Sequence, residues 1–223
     1  MLSTSIFAVT ADQSAGETTR ARRPRGAVRG GLIAAGLELA RAGGPDAVVL
    51  REAVRMVGVV PNAAYRHFAD RDELLAAVSA AAMRELAARM AAGVARVRGK
   101  HGDPAAARRR LRAIGRAYLE FATEEPGLFA TAFALPRQHA YDAPGGEAGQ
   151  DPLPLDQLRA VLDELADAGV LSRPRRAGIE YPIWATVHGL AVLTGQGPLR
   201  ELPEATRGHL EKLTSAFIGE ALG

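Results

Sequence analysis

The chain has no cysteine. Disulfides, zinc–thiolate sites and thiol nucleophiles are therefore excluded. That absence fits a reducing compartment, and the expected location is cytoplasmic. No uninterrupted apolar stretch approaches the roughly 20 residues that a membrane-spanning helix needs. The best candidate, "IWATVHGLAVL", is too short and carries a histidine. No membrane partner is expected. Sustained period-2 alternation, the sign of half-buried strands, is missing as well. So are an internal repeat, a nucleophile elbow, a phosphate-cradling loop and zinc-ligand spacing. The paired carboxylates Asp72-Glu73 and Glu124-Glu125 read as caps or solvated faces. An enzyme is not expected, nor a cofactor or a metal.

What is present suits a helical protein. The 223 residues, 48% of them hydrophobic, allow a packed core in one large domain or two small ones. The formal net charge of +3 is unevenly placed. Through Arg71 there are ten arginines against six acids; the remainder holds 18 basic and 19 acidic residues. A local positive excess points to a polyanion, with nucleic acid first. From charge alone, a solvated arginine-rich arm accounts for it equally well. Residues 1–25 place a short apolar run ahead of their arginines, the reverse of a secretory signal. They read as a disordered basic arm. Its Arg20, Arg22, Arg23 and Arg25 suit either DNA or plain solvation.

Glycine and proline punctuate the rest into helices. The spacing predicts a first helix over Ala27 to Ala42, with Leu32, Ile33, Gly36, Leu37 and Ala40 on one stripe and Gly43-Gly44 stopping it. A short second helix runs from Leu50 to Val57, and a third from Pro61 to Phe68. Asp70 and Glu73 make a capping box for a fourth that reaches towards Arg98. A fifth covers Asp103 to Thr123. Pro126 opens a sixth piece with Leu128, Phe129 and Phe133. Residues 136–154 read as a loop rich in Pro, Gly and charge, and Leu155–Ala168 as a helix. "GIEYPIWATVHGLAVLTGQG" is apolar on nearly all sides. A last helix, Pro203 to Leu222, is expected to bury Leu210, Leu213 and Phe217.

The stretch "VGVVPNAAYRHFADRDELL" is the informative one. Gly58 permits the left-handed turn that a helix-turn-helix needs between its second and third helices. Pro61, Ala64, Tyr65 and Phe68 fall on or beside one face, suited to packing. Asn62, Ala63, Arg66 and His67 fall on the other, suited to a major groove. Asparagine can bridge N6 and N7 of adenine, and arginine can fork onto O6 and N7 of guanine. A small Ala63 allows close approach. Tyr65, His67 and Arg71 suit phosphate oxygens, and Arg51 is placed to touch backbone across the groove.

These residues resemble the TetR family of transcriptional regulators. The resemblance covers about Arg29 to Val78, with "PNAAYRHFADRDELL" as the recognition-helix signature and Gly44, Val49–Leu50 and Gly58-Val59 at family spacing. "WATVHGLAVL" is similar to a motif of one group of TetR-like C-terminal domains, with Trp, His and Gly in that order. The resemblance implies an all-α fold: a three-helix DNA-binding head over 26–72, then a bundle over 73–223 holding a ligand pocket and a dimer interface. It also implies a homodimer of about ten helices per subunit on a palindromic double-stranded operator, with repression relieved by a small-molecule effector. A sensor or partner-binding bundle without specific DNA binding is the alternative. Two positions depart from the family. Val60 stands where Ser or Thr is usual, so the recognition helix lacks a side-chain N-cap. Val54 stands where a small alanine is usual.

Tyr118, Phe121, Phe129, Phe133 and Trp184 either line an apolar pocket or form plain core. His188, with no metal-ligating partner one turn away, either touches a ligand or packs. A largely apolar pocket favours an apolar or aromatic effector.

Overall fold

The structure, a computed structural model, describes residues 26–134 and 152–222. The basic arm and most of the expected 136–154 loop lie outside the described residues. The first helix, α1 (Ala27–Gly43), turns Leu32, Ala35, Gly36 and Ala40 inward, the three- and four-residue spacing of one helical face. Gly44 closes it with φ of 69°, its N–H donating to the Ala40 carbonyl at 2.8 Å. A tight turn over Pro45–Ala47 leads to α2 (Leu50–Val57), which buries Leu50, Ala53 and Val54. Gly58 then sits at φ 69° and ψ 38°, the left-handed region expected of the turn.

The recognition helix α3 (Pro61–Tyr65) is three residues shorter than expected. Arg66 and His67 lie in a turn, where the N–H groups of His67 and Phe68 both donate to the Ala64 carbonyl. The cause is the next cap. Asp70 must be extended, at φ −148° and ψ −173°, for its carboxylate to accept from the Glu73 N–H at 2.9 Å. Glu73 in return accepts from the Ala69 N–H at 2.8 Å, one residue further back than a standard capping box. From this cap α4 (Arg71–Ala95) runs out of the head and through the body. It stops at Ala95, short of Arg98.

Asp103 caps α5 (Pro104–Glu124), and Pro126 opens the short α6 (Pro126–Ala132). Then come α7 (Pro154–Asp167), α8 (Arg173–Arg176), α9 (Glu180–Gly195) and α10 (Glu204–Leu222). The described residues thus form ten α-helices and no strand, an all-α fold. No helix among them is long and apolar enough to cross a membrane.

Two glycines set how the head meets the body. A Cβ on Gly36 would collide with the Val78 side chain, so the α1 backbone sits directly against that side chain of α4. A Cβ on Gly127 would overlap the Ala40 carbonyl oxygen and lie 2.9 Å from that of Arg41. α6 therefore butts against the end of α1. The buried Ser79 hydroxyl pins α6 to α4 by donating to the Ala132 carbonyl at 3.1 Å. Elsewhere, buried acids hold the bundle together. Glu164 on α7 pairs with Arg110 on α5. Glu180 on α9 lies between Arg159 at 3.3 Å and Arg176 at 2.9 Å. Burial works to raise the Glu180 pKa, but a backbone N–H and the two arginines outweigh it and hold the carboxyl below the usual range.

The last helix corrects an expectation. Leu213 and Phe217 are 52% and 61% exposed, and Leu210 is only partly covered. Ile218 and Leu222 are the buried residues of α10. The helix carries two apolar stripes, rotated from each other by roughly a third of a turn. Periodicity identifies both stripes; only the packing of neighbours decides which turns inward.

Candidate nucleic-acid interface and cavity

α3 is anchored by one narrow stripe. Ala64 and Phe68 are buried in the core shared with α1 and α2, and the Arg29 guanidinium lies 5.3 Å over the Phe68 ring. Pro61 and Tyr65 were expected beside that packing face. Both are exposed, Tyr65 by 59%. A five-residue helix has room for one contact stripe, and Ala64 with Phe68 fills it. Asn62, Arg66 and His67 are exposed as expected, and Ala63 is partly covered. Four of these side chains, Asn62, Tyr65, Arg66 and His67, can donate hydrogen bonds outward, and α3 carries no acid to repel phosphate.

The flanking arginines divide. Arg51 at the start of α2 is 90% exposed, with its nearest acid oxygen, on Glu52, at 3.9 Å. Arg71 turns inward. Its Nε donates to the Val48 carbonyl at 3.0 Å and its Nη2 to the Pro45 carbonyl at 2.7 Å. Arg71 therefore braces the α1–α2 connection against the start of α4. No sequence signal announces this, because its partners lie 23 and 26 residues earlier. Val60 makes no side-chain cap, as expected, and is itself exposed.

In the body, α4, α5, α7, α9 and α10 line a half-open cavity of about 390 Å³. Tyr118 and Trp184 line it. Phe129, Phe133 and His188 are outside its lining and stack with those two: Phe129 lies 5.5 Å from Tyr118, Phe133 lies 5.1 Å from Phe129, and His188 lies 4.7 Å from Phe133. Phe121 also lies outside the lining and carries the Arg89 guanidinium 5.2 Å over its ring. The Trp184 indole N–H can only donate, so the Tyr118 oxygen accepts from it at 3.2 Å. The same oxygen is 2.7 Å from His188 Nδ1. Burial pushes the His188 pKa down, so the ring favours its neutral form there. His188, read from sequence without a partner, is thus tied to Tyr118. Sequence reasoning missed Arg108, Arg112 and Arg116 of α5, which also line the cavity. Their i, i+4, i+8 spacing was the available signal.

Among the described residues no group of three or more His, Asp or Glu could hold a metal ion. The arrangement offers an exposed polar helix at one end and a half-open cavity at the other. Such a head and body define a helix-turn-helix, DNA-binding regulator of transcription. Residues 32–78 match the model of the bacterial regulatory proteins of the tetR family, and residues 111–217 match that of the tetracyclin repressor-like C-terminal domain. Together they span well over half of the chain, which belongs to the TetR family. Among solved structures it is similar to a protein with unknown function from Rhodococcus sp. RHA1, at 26% identity and a TM-score of 0.68, with 92% of this chain and 99% of that one covered. No curated protein sequence matches.

Proposed function

We propose that this regulator binds a palindromic operator as a homodimer and represses until a small molecule in the body releases it. The carrying observation is the outward side of α3 and of the turn that follows it, where Asn62, Tyr65, Arg66 and His67 are exposed while Ala64 and Phe68 hold the segment down. Asn62, Ala63 and Arg66 read bases in this account. Pro61, Tyr65, His67 and Arg51 position the backbone. The head is residues 26–72 and the body 73–223. No catalytic residue is assigned.

Dimerisation is supported by α9 and α10, which leave Val192, Leu193, Leu213 and Phe217 exposed. An outward apolar stripe on the last helix suits a twofold partner. Two heads then sit about one helical turn of DNA apart, ~34–36 Å. A ligand that prefers a different head spacing lowers DNA affinity through that preference alone. The close seat of α6 on the end of α1 offers the mechanical link.

Selection of DNA from a random pool at moderate salt tests the reading. A palindromic consensus is expected; a folded dimer that enriches nothing refutes it. The residue roles separate further. Tyr65→Phe weakens binding to all sequences alike, whereas Arg66→Ala relaxes preference at one base position by ~1–3 kcal/mol. Equal effects of both on every operator variant overturn these assignments.

A further inference from the structure

The row of arginines along the cavity distinguishes it from a plain apolar pocket. Arg108, Arg112 and Arg116 stand one turn apart on α5, where all three are exposed to solvent and border the cavity. The row extends ~12 Å. None of the three forms a hydrogen bond or ion pair among the described residues, although other arginines of the body do. Arg110, on the same helix, pairs with Glu164, and Arg159 and Arg176 share Glu180. A guanidinium is always charged and presents five donors. Three in a row without an acid repel one another, and an anion placed among them relieves that repulsion. Lys212 adds a fourth cation to the lining, against Glu211 as its one acid. Burial, with the charge of Glu120, pushes the Glu211 carboxyl up against the opposing pull of Arg207, which weakens it as a counter-ion. Opposite the row the lining is apolar, with Leu158, Ile183, Trp184, Val187 and Ile218.

We propose that the cavity binds an amphipathic organic acid, its carboxylate held by the α5 arginines and its apolar body lodged between α7, α9 and α10. A neutral apolar molecule would leave the guanidinium row unrelieved. A cation would meet four like charges and one acid. At about 30 Å³ for each water-sized group, the cavity holds on the order of a dozen non-hydrogen atoms, the size of a ten-carbon fatty acid. This inference rests on the reading of the body as a ligand-binding domain.

Trp184 is the only tryptophan of the chain and lies in the lining, so its fluorescence reports occupancy. Full-length protein is titrated with decanoate, decanol and decylamine below their micellar concentrations. Decanoate is expected to change the emission saturably and to bind at least about tenfold more tightly than the other two. The double variant Arg112→Gln, Arg116→Gln is expected to remove that preference while decanol binding stays within about twofold. Gly115 also lines the cavity, and a Cβ there meets nothing within 4 Å. Gly115→Leu therefore fills the space with little disturbance and is expected to abolish binding of every probe, with helix content by circular dichroism unchanged. Decanol or decylamine binding as tightly as decanoate overturns the acid class. If Gly115→Leu still abolishes that binding, the ligand-binding cavity stands without it. No response to any probe overturns both.

Discussion

The head and the body present cations in opposite shapes. In the head, Arg51 at the start of α2 and Arg66 in the turn after α3 are exposed and point outward from short elements. In the body, Arg108, Arg112 and Arg116 border a concavity. A convex row fits a groove that is itself the partner, whereas a concave one encloses a partner smaller than itself. The regions differ as much in what lies behind the cations. α3 rests on two buried side chains, Ala64 and Phe68, and little else holds it in place. The body is cross-tied by Glu164–Arg110 and by Glu180 with its two arginines. The recognition segment is thus lightly held at the far side of a head that is itself packed tightly on the body, and the joint between head and body is where a link between them can be broken.

The largest effect is expected at that joint. Gly127→Ala places a methyl on the Ala40 carbonyl oxygen and near that of Arg41. Both obstacles are backbone, so neither can swing aside. Overpacking of this kind costs ~1–3 kcal/mol or more, and a value at the upper end is expected from urea denaturation. A loss below ~0.5 kcal/mol would show that α6 slides away freely, and the rigid joint would be lost from the account.

Next comes Arg71. If it is the brace that its carbonyl partners indicate, Arg71→Ala lowers stability by about 2 kcal/mol, after allowance for its partial exposure. DNA affinity then falls because the head loosens. Unchanged unfolding with weaker DNA binding would instead leave the phosphate contact expected from sequence as its main role. Denaturation and gel shift on one preparation separate these outcomes.

The two regions also differ in how far they are legible in sequence. The head's devices are local. Asp70 and Glu73 lie three residues apart, Gly58 marks its own turn, and the Ala64–Phe68 stripe is one helical repeat. Each could be read within a short window; the length of α3 and the placement of Tyr65, Pro61 and Arg71 differed. The cavity draws on five helices from Met90 to Leu222. Aromatic content suggested Phe121, Phe129 and Phe133 for its wall. These face elsewhere, because helical spacing gives a shared face without saying which neighbour meets it. Leu213 and Phe217 turned outward for the same reason. Tyr118 and Trp184 do line the cavity, but their aromatic character did not set them apart from the other three.

A smaller effect is expected at the head's turn. Gly58→Ala meets no atom within 4 Å, so its only penalty is the left-handed backbone at φ 69°. That penalty is ~1–2 kcal/mol. The loss should appear in stability and in DNA affinity together, because α2 and α3 are oriented by this turn. A neutral result would mean that the turn relaxes to another conformation without moving α3.

Gly115→Ala gives the smallest change and the opposite sign. Gly115 lies inside α5, is not among the glycines of positive φ, and an added Cβ meets nothing within 4 Å. Replacing a helix-interior glycine by alanine reduces the freedom of the unfolded chain and favours the helix by ~0.5–1 kcal/mol. The body should therefore become more stable, and its melting temperature should rise. The methyl enters the cavity, so the gain comes with a slightly smaller binding space. α5 thus carries a glycine beside Arg112 and Arg116 in the cavity lining, at a position where alanine is expected to stabilise the helix. A fall in stability would show that the space around Gly115 is already filled, and with it would go the best reason to regard the cavity as room for a ligand.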